Sequence, residues 1–208
     1  MSVLPPFSPV HVIGSGGHAK VVIATLQAVS LEIAAIYDDD ERRWGSSLMG
    51  IEVKGPIQLL EKMAGQSGVI AIGNNEVRRR LSQNLKLHWI SAIHPIAYVH
   101  SSVQIGAGTV IFAGAVVQPD AVIAEHVIVN SGATVDHDSV LEDFVHIAPG
   151  AHLAGSVRVR QGAFLGIGSA AIPGVEIGAW STVGAGAVVV RDVPQKTTVM
   201  GVPAKPRY

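Results

Sequence analysis

Three histidines and a crowd of carboxylates fall within ATVDHDSVLEDFVHIAPGAHL, residues 133–153. They are His137, His146 and His152, with Asp136 just before them and Asp138, Glu142 and Asp143 between them. The sequence on either side is almost entirely Val, Ile, Ala and Gly. A histidine titrates near pH 6.5, so it can take up and release a proton at neutral pH. A carboxylate on one ring nitrogen fixes the tautomer and raises the basicity of the other. His137, set between Asp136 and Asp138, has that neighbourhood, and no chemistry calls for His152. The same residue types can bind a metal, but no tight His/carboxylate constellation is evident and Cys is absent, so no metal is expected.

A second group of residues with chemical potential lies near the start. In IGSGGHAK (13–20), Gly14, Gly16 and Ala19 fit G-x-G-x-x-G/A, and Asp38 follows Gly16 by 22 residues. A glycine-rich turn opening a helix aims backbone N–H groups and the helix dipole at a phosphate. About 84 residues precede the repeat described below, roughly one mononucleotide-binding half. A nucleotide or nucleotide-sugar fits that size better than NAD, the rival ligand. Gly14, Ser15, Gly16 and His18 are the phosphate-loop candidates, with Lys20 on the same helix start. Asp38 and Asp39 can accept from a ribose or from base N–H groups. Gly73 and Asn74 end a third strand, where parallel sheets hold ligands.

The elements that must position these groups follow two grammars. Residues 9–92 alternate strand and helix: strands at 9–14, 33–37 and 68–73, helices at 18–29, 56–63 and 75–86, and HWISAI (88–93) as the close. PIQLLEKM (56–63) opens on Pro, a favoured first helical position, and Asn74 or Asn75 caps the helix after it. This alternation predicts a small parallel sheet flanked by helices, an α/β half-Rossmann-like domain. From 97 to 192 the chain divides into sixteen uninterrupted hexads, with Val, Ile or Leu in the third place of all but one, Ala171. A period of six over that length predicts short strands and tight turns. The third residue points inward, and coils stack at roughly 4.8 Å as a parallel β-helix. The domains are therefore 1–94, 95–192 and a C-terminal tail, 193–208.

Bulk properties narrow the function. With 208 residues and a net charge of −1, the chain has no basic excess to favour nucleic acid or an anionic membrane. No apolar run reaches the ~18 residues of a membrane helix. The start, MSVLPPFSPV, lacks the basic residues of a secretory leader, and the absence of Cys suits a cytoplasmic location.

GSGGHAK, AIGNN (71–75), NSGATVDHDSVLEDFVHIAPGAHLAGSV (130–157) and GVPAK (201–205) together resemble the sialic-acid O-acetyltransferase/bacillosamine-pathway N-acetyltransferase family over nearly the whole chain. The hexad pattern resembles the left-handed β-helix of hexapeptide-repeat acyltransferases, three hexads to a coil. The resemblance implies acetyl-CoA as donor and, as acceptor, the 4-amino group of a nucleotide-linked amino-deoxy sugar, of the UDP-4-amino-4,6-dideoxy or GDP-perosamine type. It also implies a homotrimer with active sites between subunits, serving surface-glycan or glycoprotein synthesis. Sialic-acid-type O-acetylation and a non-catalytic nucleotide-sugar-binding β-helix are the alternatives.

On that resemblance His137 is the general base and Asp138, matching the acid after the family's catalytic histidine, its partner, with Asp136 and Glu142 as alternatives. Gly155, one coil from His137, offers an N–H to the thioester oxyanion. His146, second in its hexad and outward-pointing, is implied to bond the acetyl-CoA carbonyl region. Gly166, Ile167, Gly184 and Ala185 could line the pantetheine trough. Lys205, with Arg191, Lys196 and Arg207, could meet the CoA phosphates, and Pro203 is implied to shape the tail near the adenine.

Overall fold

The computed structural model describes residues 9–207. Residues 1–8, which hold most of the segment read against a secretory leader, lie outside the described residues, as does Tyr208. The chain divides into two compact units, one ending at Ala92 and the other beginning at Ile93.

The first unit is a six-stranded sheet. Its strands are β1 (Val10–Ile13), β2 (Ile33–Tyr37), β3 (Ser47–Leu48), β4 (Ile51–Gly55), β5 (Ser67–Ile70) and β6 (His88–Trp89), in spatial order β3-β4-β2-β1-β5-β6. All pairings are parallel except the β3–β4 hairpin. VHVI of β1 is buried at every position, as a central parallel strand requires. Helix α1 (Gly17–Ala28) buries Ala19, Val22, Ile23 and Leu26, one stripe at helical spacing. Helix α2 (Asn75–Asn84) is capped by Asn74, whose side chain accepts from the Val77 amide at 3.0 Å. From β1 the chain builds outward through β2 and β4, then crosses to β5 on the other side of β1. The carboxyl end of β1 is thus the switch point, where such sheets hold ligands.

Two elements differ from the sequence reading. Residues 57–62 form a 3-10 helix rather than a helix over 56–63, and Pro56 stands outside it as the N-cap with ψ 151°. The bond from the Leu59 amide to the Pro56 carbonyl (3.2 Å) is the tight i→i+3 kind that a six-residue segment sustains. The hairpin β3–β4 was not foreseen. Its two turn residues, Met49 (φ 52°) and Gly50 (φ 82°), have the paired positive φ of a type I′ turn, with Met where Asn or Asp is usual.

The second unit is a parallel β-helix with three sheets. Each strand pairs with the one 18 residues on, as in Val99↔Val117, Val117↔Val135 and Val135↔Leu153. The third-place residues make three ladders, buried from Ile111 onward, and Ala171, the exception, is buried in the same role. First-place residues turn in at the bends. The Thr109 hydroxyl there is bonded on both sides: it donates to the Ala124 carbonyl (2.8 Å) and accepts from the Val127 amide (3.0 Å). Every sixth-place residue from Gly108 to Gly186 has φ between 54° and 74°, the left-handed bend that closes each hexad. Gly supplies most of these corners, and Asp138, Phe144 and Trp180 are among those held there at a steric cost. The stack begins before the hexads, with the strand Ala92–Ile93 at the end of its longest sheet, and the His94 amide donates to the Ile111 carbonyl (2.9 Å). It runs past the hexads, because Thr198 and Val199 of the segment read as a tail pair in parallel with Thr182 and Val183. The chain then folds back as an antiparallel pair, Met200↔Lys205, over the last coil.

Candidate active site

Val135 is buried in its ladder, so the next residues must leave the core and turn. His137 and Asp138 form that turn, with Asp138 at φ 58°. This left-handed conformation brings its carboxylate back onto the histidine. Asp138 Oδ2 lies 2.7 Å from His137 Nδ1, and Asp136 Oδ1 accepts from the His137 amide at 2.8 Å. The bond to Asp138 holds the His137 pKa above its ordinary 6.5; desolvation opposes this, and the charges of Asp136 and Asp138 add to it. Nδ1 is committed to Asp138, so Nε2 faces any reactant. Both side chains are more than half exposed on this single chain, 58% and 60%.

Gly155 lies against that same edge of the ring. A Cβ built on it would stand 2.5 Å from His137 Cε1 and Nε2, so the Nε2 edge of the ring is open only because the residue has no side chain. The two corners are laced together by the Ser156 amide, which donates to the His137 carbonyl at 2.8 Å. Glu142, the alternative partner for His137, is engaged elsewhere: it accepts from Arg160 Nη1 and the Gln161 amide, each at 2.8 Å.

His146 is outward by hexad place yet only 8% exposed. Phe164, one coil on, meets its ring edge-on with centroids 5.2 Å apart. Asn130 was not foreseen. Its Oδ1 accepts from the Ser131 amide (2.9 Å), which turns its nitrogen toward His146 Nε2 at 3.2 Å. An amide nitrogen can only donate, so Nε2 is the acceptor in this bond. The hint in the sequence was register: residue 130 lies two places beyond Ile128, which pairs with His146. The His152 ring pairs with Thr134 Oγ1 through Nδ1, at 3.0 Å.

On later coils Gly166 and Gly184 approach closely, a Cβ on Gly166 falling 2.6 Å from the Ala185 amide. Ile167 beside them is 62% exposed. These residues make a smooth apolar strip. Arg191, Lys196, Pro203, Lys205 and Arg207 are exposed, with Arg207 donating to Met200 Sδ (3.3 Å). A cleft of about 580 Å³ lies at another corner, between Glu142, Arg160, Glu176, Asp192 and Gln195. Its three carboxylates against one guanidinium make it a poor host for phosphates, so its size alone does not mark a reactive site.

In the first unit, Gly14 has φ 100°, and a Cβ there would strike Ile72 Cγ1 at 2.6 Å. Only Gly fits. Ser15 is committed: its amide and hydroxyl both donate to Asp38 Oδ2, at 2.7 and 2.6 Å. This latch corrects the simple picture of Ser15 N–H aimed at a phosphate, and leaves the amides of the first turn of α1 for that task. Burial pushes the Asp38 carboxyl up, but bonds from Ser15 and Asp40 and the charge of Arg43 carry it below its usual value. Asp39 accepts from the Ile57 amide at 3.0 Å, so it also braces the fold. Arg43, unforeseen, donates to the Ser15 carbonyl at 2.6 Å. His18 is mostly buried near Arg78, and burial first, Arg78 second, lower its pKa to about 4, so it is neutral at pH 7. Arg78, read as an ordinary helix charge, is 1% exposed and donates to the carbonyls of Ile72 and Gly73 (3.2 and 3.3 Å). It thereby fixes the loop that carries Gly73 and Asn74. The Asn74 side-chain oxygen is spent on its cap.

Residues 9–85 match the PglD N-terminal domain. The chain is 30% identical to the GDP-perosamine N-acetyltransferase of Escherichia coli O157:H7, over 93% of this chain and 94% of that one. It is 42% identical to the UDP-N-acetylbacillosamine N-acetyltransferase of Bacillus subtilis (strain 168), over 48% of this chain and 49% of the relative, so it spans about half of that protein's length. It superposes on a perosamine N-acetyltransferase from Caulobacter crescentus, a histidine-to-asparagine mutant in complex with CoA and GDP-perosamine, with TM-score 0.91, 42% identity and 97% of each chain covered. Nearly complete coverage at this identity carries both units, and so the chain belongs to the sugar N-acetyltransferase family that joins a PglD N-terminal domain to a β-helix.

Proposed function

We propose that the protein transfers the acetyl group of acetyl-CoA to the 4-amino group of a nucleotide-linked amino-deoxy sugar, of the UDP-4-amino-4,6-dideoxy or GDP-perosamine type. The observation that carries the reading is the His137–Asp138 pair with Gly155 against its reactive edge. His137 Nε2 takes a proton from the sugar amine as the nitrogen attacks the thioester carbon. The C–N bond forms, the C–S bond breaks, and CoA leaves as the thiol after protonation. His137 gains charge in that step, and the Asp138 carboxylate stabilises it. The Gly155 N–H and His146 serve the developing oxyanion. No Cys exists to carry an acetyl intermediate, which favours direct transfer in a ternary complex.

The strip around Gly166, Ile167, Gly184 and Ala185 suits pantetheine, and Lys205 and Pro203 suit the distal nucleotide of CoA. The switch-point crevice, with Gly14, Gly16, His18, Gly73 and Asn74, suits the acceptor's nucleotide. The exposure of His137 and Asp138 on one chain favours a homotrimer in which a neighbouring copy closes the site. Among the described residues no helix is long and apolar enough to cross a membrane. The product would enter a bacterial surface glycan or glycoprotein.

Calorimetric titration with CoA, then with UDP and GDP, tests the reading. CoA binding with selective binding of one nucleotide supports it. CoA binding without either nucleotide points to a free-sugar acceptor, and no CoA binding overturns the transferase.

A further inference from the structure

Four residues past the end of β2, a short 3-10 turn, Glu41–Arg43, carries two side chains back to the crevice. The turn is stiff: Asp40 caps it, accepting from the Arg42 amide (3.2 Å) and pairing with Arg42 Nε (2.8 Å) and Nη2 (2.9 Å). Arg43 reaches the Ser15 carbonyl of the glycine loop. Trp44, the next residue, donates its indole N–H to the Asp38 carbonyl at 2.7 Å, yet 38% of the residue stays exposed. The indole is thus anchored by its polar edge while more than a third of the residue remains uncovered, leaving aromatic area for a ligand to bury. Trp44 stands where β2 ends, beside Asp38 and Asp39, while Arg43 reaches the loop at the end of β1.

We propose that Trp44 is the platform on which the nucleobase of the acceptor stacks, and that it sets the preference between purine and pyrimidine. The proposal rests on the nucleotide-sugar reading above. A diphosphate held at the start of α1, with Arg43 alongside, directs the nucleoside toward the end of β2. A base there meets the indole as a flat π-surface and the Asp39 carboxylate as an acceptor. Stacking a base on an aromatic side chain is sequence-tolerant but stronger for the larger purine, so Trp44 favours GDP over UDP.

The test compares wild type, Trp44→Ala and Trp44→Phe in titrations with GDP, UDP and CoA, followed by heat and by tryptophan emission. The expected results are quenching by GDP in wild type, roughly tenfold or greater loss of GDP affinity in Trp44→Ala, and near-complete rescue in Trp44→Phe. Phe keeps the ring and lacks the N–H, so rescue separates stacking from the bond to Asp38. CoA affinity is expected to be equal in all three, which reports an intact β-helix. Wild-type GDP affinity in Trp44→Ala overturns the proposal. So does a Trp44→Phe protein as weak as Trp44→Ala, which would assign the residue to bracing Asp38. A change in assembly with nucleotide affinity unaltered would make Trp44 a contact between copies, and also overturns it. Failure of wild type to bind either nucleotide is a distinct result, because it removes the nucleotide-sugar reading itself.

Discussion

Gly155 packs so closely against His137 that a methyl group there would overlap the imidazole edge carrying Nε2. The backbone of Gly155 is not in the left-handed region, so alanine is conformationally acceptable and the conflict is with the ring alone. Gly155→Ala should therefore fold normally and push His137 off its line of approach. A displacement near 1 Å costs on the order of a hundredfold in rate. Steady-state kinetics with calorimetry of CoA would show kcat down by one to two orders and CoA affinity unchanged. Full turnover in this variant would mean that the ring position does not matter to catalysis.

The Asp138 carboxylate gives a second prediction, on pH. A base must be neutral to act, so the rate rises as pH climbs through the His137 pKa, which Asp138 holds above 6.5. Asp138→Asn removes the charge that stabilises the imidazolium. The rising limb of the kcat profile should move to lower pH, and the plateau should fall by roughly tenfold to a hundredfold. A limb that stays in place would assign it to another group.

What the sequence made legible follows from how local each feature is. The hexad ladders were readable because every coil imposes the same inward place, and a period survives any one exception such as Ala171. His137 and Asp138 were nameable together because they are neighbours in the chain, so a single turn suffices to join them. Asn130 pairs with His146 across coils, where nothing adjacent in the sequence marks it. Arg78 reads as a surface charge of NEVRRRLSQN, and only the fold reveals that it is buried against the Ile72 and Gly73 carbonyls. The β3–β4 hairpin hid because Met49 occupies a positive-φ position that no propensity assigns to Met.

His18 offers a third prediction, on stability. Its pKa is about 4 in the folded chain against an ordinary 6.5. Between those values the unfolded chain binds the proton and the folded chain does not, so stability falls as pH drops from 6.5 toward 4. The difference between about 4 and 6.5 corresponds to roughly 3–4 kcal/mol at its limit. Denaturant unfolding from pH 7.5 to 4.5 should show this slope in wild type and a flatter curve in His18→Asn. NMR titration of His18 should find no midpoint above pH 5, and a midpoint near 6.5 would contradict the burial described for it.

Asp38 supplies a fourth, of the opposite sign in its cause. Its Oδ2 accepts two donors from Ser15, and its Oδ1 accepts from the Asp40 amide at 2.9 Å. Three donors converge on one carboxylate, and an amide cannot replace it, because one of its two ends carries hydrogens of its own. Asp38→Asn must leave either Ser15 or the Asp40 amide facing an NH2 group, at a cost of about 1–3 kcal/mol for the donor left unmet. The folded pKa of Asp38 lies below 3.8, so its contribution is complete above that value and is lost as pH falls through the folded pKa. Urea unfolding should therefore find the variant less stable than wild type at pH 7, with the two curves converging below pH 4. If the gap stays constant into acid, the carboxylate's charge is not what holds the glycine loop to β2, and the latch is a matter of shape alone.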